Sequence, residues 1–498
     1  MGLNTVDLVV IVVYLAGVTL FGLRFRGKQR TLKGYFLADN TIPWWAICLS
    51  IVAAETSTLT IISVPGLAYE KDFRFLQLVI GYIVGRIVVS FVLIPQYFRG
   101  QLVTAYELIE RRFGGRLRSL TAGLFLVTRA AAEGVRVFAV AIVIRVALGG
   151  LLTGLSDFGR DVAAIAIVTV LTLIYTFEGG MAAVIWTDVV QLGIYLAGTL
   201  AAFFSIVHLV PGGWGAIHTM AAQAGKFHMF DTSINLSAAY TLWAGVIGGA
   251  FLTTASHGTD QLIVQRLLSA RSERQAKVAL LSSGVAIFFQ FSLFLFIGAM
   301  LFVFYKLFPP AVAFARTDTI FPAYIVSRMP HGLSGLLISA ILAAAMSNLS
   351  AALNSLSSTT IIDFYARIAP LSTEVRRVQL SRMATVGWAL LLFGLALLAR
   401  NGGKVLEMGL SIASVAYGSL LGVFLLGVLT KRASERGAML GMLLGFALNL
   451  YLWLFTGVAF TWYVVMGSMA TFAVGYCASW LMPQASRPPP AFQAIQGG

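Results

Sequence analysis

The segment SIVAAETSTLTIISVPG, residues 50–66, sets one carboxylate, Glu55, beside the hydroxyls of Thr56, Ser57, Thr58 and Thr60. The run is otherwise apolar, and Pro65-Gly66 reads as the end of the span. Polar groups within hydrocarbon are costly, and they are kept where they face a partner or a water-filled cavity. A helix that breaks here frees backbone carbonyls, and carbonyl and hydroxyl oxygens together suit a hard cation. A lone hydroxyl would bond back to the preceding turn; four beside a carboxylate favour a binding site. A second cluster lies in AAAMSNLSAALNSLSSTT, residues 343–360. There Ser347, Ser350 and Asn354 share a helix face at i, i+3 and i+7, with Asn348 and Ala351 beside them. Taken alone, this small polar face suits close helix packing. Taken with the first cluster, it suits a shared ion site.

Charged residues inside apolar runs are few: Glu55, Arg86, Arg129, Glu133, Arg136, Arg145 and Asp188. Arg129, Glu133 and Arg136 fall on one helix face at i, i+4 and i+7. They form either an internal ion-pair network or a charged wall for a solute; an arginine facing a cavity suits a carboxylate. Arg145 stands near a helix end and can snorkel, whereas Arg86, in mid-span, has no evident partner. Asp188 comes about two turns after the Gly179-Gly180 turn of YTFEGGMAAVIWTDVVQ (175–191), a position where an acid needs a partner. In GTDQLIVQRLLSARSERQAK (258–277), Asp260, Gln261, Gln265 and Arg266 gather at a cytoplasmic helix end, as a structural or gating network would. There is no G-x-x-x-x-G-K-[ST], H-E-x-x-H or G-x-S-x-G, and the chain has only 5 histidines. These residues supply oxygens for ions and charges for a solute, with no enzyme site among them.

The elements that must position these groups follow from composition. The 498 residues are 58% hydrophobic and 11% charged, with mean hydropathy +0.87; soluble domains have roughly a quarter charged residues. Apolar runs long enough to span hydrocarbon, about 20 residues, recur at 4–24, 42–67, 74–98, 117–150, 160–178, 180–208, 239–257, 278–305, 333–362, 378–399, 405–430, 437–456 and 460–482. The reading is an all-α polytopic membrane protein of about thirteen transmembrane helices, a single membrane transport domain over 1–498. The first span lacks a basic leader and a small-residue cleavage site, so it reads as a helix rather than a signal peptide. The net charge of +15 gathers on alternate connections, from Arg24/Arg26/Lys28 through Arg111/Arg112/Arg116/Arg118 to Lys431/Arg432/Arg436. It therefore encodes topology, with the N-terminus outside and the C-terminus cytoplasmic, and no nucleic-acid footprint. Cys48 and Cys477 form no disulfide framework. Residues 483–498 read as a disordered tail. The sequence fixes no oligomeric state.

In these motifs the chain resembles the sodium/solute symporter family, which carries sugars, proline, sialic acid, iodide and monocarboxylates. YTFEGGMAAVIWTDVVQ is similar to the family's Gly-Gly signature, GVLTKRASERGAMLGMLLG (427–445) to its second, and GTDQLIVQRLLSARS is typical of it. The resemblance implies a LeuT-type core of two inverted five-helix repeats, the first helix of each broken at mid-membrane. The leading helix is then 4–24, the repeats 42–208 and 239–430, and the two further helices lie within 437–482. It also implies a sodium site from the carbonyls of Ala53, Thr56 and Ala344, the Ser347 hydroxyl and, in place of a second hydroxyl, Asn348. A second ion would use Asp188, Ser347 and Ser350, with Ala351 replacing the last family serine. At the family's solute positions stand Glu55, Thr60, Thr253 and Ser256, with neither the amide nor the tyrosine of the sugar carriers; Ser57, Arg129 and Arg136 join them as solute candidates from the polar and charged residues read above. Glu55 would counter a substrate amine, support sodium, or pair with Arg129 or Arg136. The expected function is sodium-coupled import of a small carboxylate-bearing or zwitterionic solute across the plasma (inner) membrane, with no organic cofactor. The alternatives are a proton-coupled carrier using Glu55 and a sodium or solute sensor that does not transport.

Overall fold

The computed structural model describes residues 3–23, 37–99, 102, 105–150, 152–175, 181–365 and 368–482. The basic residues of 24–33, the Gly179-Gly180 turn and the tail 483–498 lie outside the described residues. Helix α1 is Thr5–Leu23. The first polar cluster divides its span into α2, Trp44–Glu55, and α3, Thr58–Glu70, bent by 64° from each other. Then come α4 (Leu76–Arg99), α5 (Ala105–Arg112), α6 (Gly115–Ala147), α7 (Asp157–Tyr175), α8 (Met181–Leu209) and α9 (Gly213–Gln223). A π-helical turn, Ala244–Gly248, leads into α10, Gly249–Gly258, and α11 is Gln261–Leu268. The remaining helices are α12 (Glu273–Leu307), α13 (Ile320–Arg328), α14 (Leu333–Thr359), α15 (Glu374–Ala399), α16 (Val405–Leu429), α17 (Glu435–Phe455) and α18 (Tyr463–Leu481). Among the described residues the one β-type contact is an isolated bridge between Ile42 and Ala270.

Pro65-Gly66 does not end the second span, contrary to the expectation from sequence; α3 runs through both residues to Glu70. The break falls at Thr56–Ser57, where Thr56 leaves helical geometry (ψ 76°) and Ser57 is extended. Pro65 and Gly66 instead allow close packing. A side chain at Gly66 would sit 2.6 Å from the Thr317 carbonyl oxygen, and one on Gly298 of α12 would strike the Pro65 carbonyl. The second interruption, at Thr259–Asp260, is capped: the Asp260 carboxylate accepts from the Leu262 N–H at 2.9 Å, satisfying one free donor of α11.

Helix α14, which carries the second polar cluster, is the most deeply buried apolar span. Its N-terminus is capped from α1. The buried Asp7 accepts from the N–H of Gly332 (2.6 Å), the N–H of Gly335 (3.2 Å) and the Ser334 hydroxyl (2.9 Å). A carboxylate there offsets the helix dipole and the unpaired N–H groups. Thus the leading helix anchors the element bearing Ser347 and Asn348.

Glycines bring α4 against the second interrupted span. Gly81 and Gly85 of α4 lie against Gly245, Gly249 and Ala250, so that a Cβ at Gly249 would stand 2.6 Å from the Leu78 carbonyl oxygen. Small residues permit such approach where van der Waals packing drives helix association. Gly81→Val is therefore expected to separate α4 from α10 and to abolish recovery of monodisperse protein in detergent. Wild-type yield and elution by size-exclusion chromatography would show that the contact is dispensable.

Candidate functional site

The two interruptions face a shared cavity of about 190 Å³, walled by α4, α6, α14 and α16. Phe75, Leu252, Phe291, Leu406 and Leu410 form apolar wall; Tyr82, Tyr106, His257, Asp260 and Tyr417 add polar groups. All seven solute candidates, Glu55, Ser57, Thr60, Arg129, Arg136, Thr253 and Ser256, line it, and so does Asn348. This is a pocket of the expected kind, mostly apolar with a few convergent polar groups.

Its charges pair differently from the expectation for Glu55. That carboxylate meets neither Arg129 nor Arg136 but the guanidinium of Arg86, with His257 Nε2 3.5 Å away. Arg86 is fully buried; its Nε donates to Ser283 at 3.1 Å and its Nη1 to the Tyr82 carbonyl at 3.2 Å. Gly284 leaves room for it, since a Cβ there would lie 2.9 Å from the Arg86 side chain. The α6 arginines instead share Glu133, which is 1% exposed, at 3.0 Å from Arg129 and 2.7 Å from Arg136. Arg129 is buried and also stands 3.5 Å from Asp260, to which Tyr417 donates at 2.8 Å. The Arg136 side chain is 33% exposed at the cavity wall, and Glu133 is its ion-pair partner among the described residues.

At the first interruption the backbone releases two carbonyls. The Ser57 N–H turns to the Glu55 oxygen instead of that of Ala53, and the Thr60 N–H turns to Ser57 instead of Thr56. The Ala53 and Thr56 oxygens are thereby free of the helical ladder. The Thr56 hydroxyl is not: it donates to the Val52 carbonyl (2.7 Å) and accepts from Gln290 (2.8 Å). On α14, Ser339 bonds back to Leu336 at 2.8 Å, as does Thr360, just beyond it, to Leu356 at 2.8 Å. Ser347, Asn348 and Ser350 make no such side-chain bond among the described residues. Ala344 lies in the unbroken helix and offers the second lone pair of its carbonyl. Ala53, Thr56, Ala344 and Ser347 are buried.

Asp188 is occupied. One oxygen accepts from the Ser50 hydroxyl (2.6 Å) and from Arg266 (3.0 Å), and Arg266 Nε also donates to Ser50 (2.9 Å). This ties α2, α8 and α11 together, and Asp188 hydrogen-bonds to neither Ser347 nor Ser350. Sequence reasoning missed Arg86 as the partner of Glu55, and His257, Tyr82 and Tyr417 as cavity groups. The polar run TTASHGTD, 253–260, pointed toward His257; nothing local marks the others.

The model of the sodium:solute symporter family matches residues 35–445. The sodium/sialic acid symporter NanT of Aliivibrio fischeri is 29% identical over 95% of this chain and 92% of its own. The human sodium-coupled monocarboxylate transporter 1 is 27% identical over 85% of this chain and 69% of its own. Among solved structures, a substrate-bound, outward-open sodium-coupled sialic acid symporter superposes with a TM-score of 0.81 at 29% identity, covering 96% of this chain and 98% of that one. Mhp1, a nucleobase-cation symporter, shares the fold, with a TM-score of 0.57 at 12% identity over 89% of this chain and 94% of that one.

Proposed function

Because this chain belongs to the sodium:solute symporter family, and is therefore a multi-pass sodium-coupled transporter and not an enzyme, we propose that it imports a small carboxylate-bearing solute. The observation that carries this reading is Arg136: a cavity-lining guanidinium, one-third exposed, with one short bond to Glu133. Its remaining N–H groups present the planar fork that matches a carboxylate. The apolar wall of Phe75, Leu252 and Phe291 encloses the rest of a small solute. Arg129 is buried against Glu133 and Asp260 and holds the wall in place.

Sodium is the co-transported ion, held by the released carbonyls of Ala53 and Thr56 together with Ala344, Ser347 and Asn348. It bridges the first interruption to α14, which favours the outward-open state and orders the solute site. Linkage then makes sodium tighten solute binding and solute tighten sodium binding by the same factor. The potential adds about 2.3 kcal/mol per charge per 100 mV if the full field is crossed. Proton carriage by Glu55 is disfavoured, because protonation would strip the buried Arg86 of its counter-ion. The second-ion role of Asp188 is also disfavoured by its pairing with Arg266.

The basic residues at one end of the bundle, including Arg111, Arg112, Lys431 and Arg432, support a cytoplasmic C-terminus and an N-terminus outside. The helices divide as α2–α8 and α10–α16 for the two repeats. The test of the sodium site is Ser347→Ala in purified protein. The sodium concentration for half-maximal uptake into liposomes should rise about tenfold, roughly 1.4 kcal/mol for a lost ligand, with unchanged thermal stability without sodium. Wild-type sodium dependence would remove Ser347 from the site.

A further inference from the structure

Glu55 is the one acid that projects into the cavity from the first interruption, and the kind of group it receives decides which solutes fit. Its Oε2 is taken by Arg86 and faces His257. Its Oε1 makes no hydrogen bond among the described residues, and the side chain is 15% exposed toward the cavity it lines. Behind it Arg86 is 0% exposed, and all three of its guanidinium nitrogens are occupied, by Ser283, the Tyr82 carbonyl and Glu55. Among the described residues Glu55 is the one acid paired with Arg86, so removing it leaves a buried, uncompensated charge.

We propose that Arg86 is a specificity-determining residue, a built-in counter-cation that cancels the charge of Glu55 and closes the site to solutes bearing an ammonium group. Glu55 then presents Oε1 as an acceptor on a neutral pair. A hydroxyl satisfies such an acceptor at no electrostatic cost. An ammonium would share one carboxylate with Arg86 and add a third charge to a site that has balanced two. His257 strengthens the arrangement. Its Nδ1 lies 2.9 Å from the Ser256 hydroxyl, and its Nε2 3.3 Å from Arg86 and 3.5 Å from Glu55, so the ring links the pair to Ser256. Ser256 lines the same cavity, and its oxygen is thereby turned toward the ring. The ionisable groups around the pair are Cys48 and Tyr82 on its own helices α2 and α4, and Asp260 at the second interruption. The inference rests on the carboxylate reading above and narrows it, from carboxylates in general to carboxylates carrying hydroxyls and no amine.

The test measures binding to purified protein in sodium, by thermal stabilisation, of two matched triads and a pair: lactate, alanine and propionate; glycerate, serine and 3-hydroxypropionate; gluconate and its 2-amino analogue. In the wild type the hydroxy acid of each set should stabilise at concentrations at least tenfold below its amino partner. Arg86→Met should reduce that ratio to near one by admitting the amino acid. The double variant Glu55→Gln/Arg86→Met, which removes both charges and protects folding if the single variant fails, should reject amines again. Equal binding of hydroxy and amino partners by the wild type overturns the proposal, as does undiminished discrimination in Arg86→Met. If that variant does not fold, a double variant that accepts amines overturns it. If no carboxylate of either kind binds, the carboxylate reading fails and this inference falls with it.

Discussion

Arg136→Gln is expected to abolish concentrative uptake of a carboxylate solute while leaving the folded protein intact. The guanidinium is 33% exposed at the cavity wall, and Glu133 keeps a second partner in Arg129 at 3.0 Å when Arg136 is removed. The fold therefore loses one of two bonds to a carboxylate that remains neutralised. A bound carboxylate, in contrast, loses its charged partner inside an enclosed site, where truncating one member of such a pair costs about 2–5 kcal/mol. That is a drop of tens to thousands of fold in affinity. Arg136→Lys keeps the charge but not the planar fork, and should recover part of the loss. The measurements are sodium-driven uptake in proteoliposomes and the unfolding midpoint without solute. Normal uptake by Arg136→Gln would leave Arg136 a structural partner of Glu133 and remove the basis of the carboxylate reading. A collapse of stability with no folded fraction would make α6 a single structural ion network.

Asp188→Asn is expected to destabilise the protein strongly. Asp188 and Arg266 are 4% and 3% exposed, 3.0 Å apart, and joined through Ser50. Removing one charge from a buried pair strands the other, at a cost of about 3–5 kcal/mol. The double variant Asp188→Asn/Arg266→Met removes both charges and should recover most of the stability, because a buried pair is often replaceable by apolar packing of similar volume. A second-ion role for Asp188 makes the opposite forecast: sodium stoichiometry falls while the unfolding midpoint in sodium-free buffer stays put. Thermal unfolding of both variants, with isotopic sodium counted per solute transported, separates the two.

Both predictions rest on which helices pack together, and this is where sequence and tertiary structure divide. The sequence by itself determined that the chain is an all-helical membrane protein built of apolar spans, because hydrocarbon thickness demands a local run of about 20 residues whatever its neighbours. It also placed the interruption within AAETSTLT and the polar face of Ser347, Ser350 and Asn354, with Asn348 beside it, since helical spacing and hydroxyl clustering are local properties. Arg129, Glu133 and Arg136 were legible as a set because i, i+4 and i+7 share a face on any straight helix. Pro65-Gly66 misled, because a small residue beside a proline reads as a stop until a neighbouring backbone is seen to need the space. Only the tertiary structure decided that Glu55 pairs with Arg86 on the next span, that Arg129 reaches Asp260 and that Asp188 is held by Arg266. Those partners stand 31, 131 and 78 residues apart. Burial obliges each charge to find a counter-charge, but helix packing alone decides which one it meets.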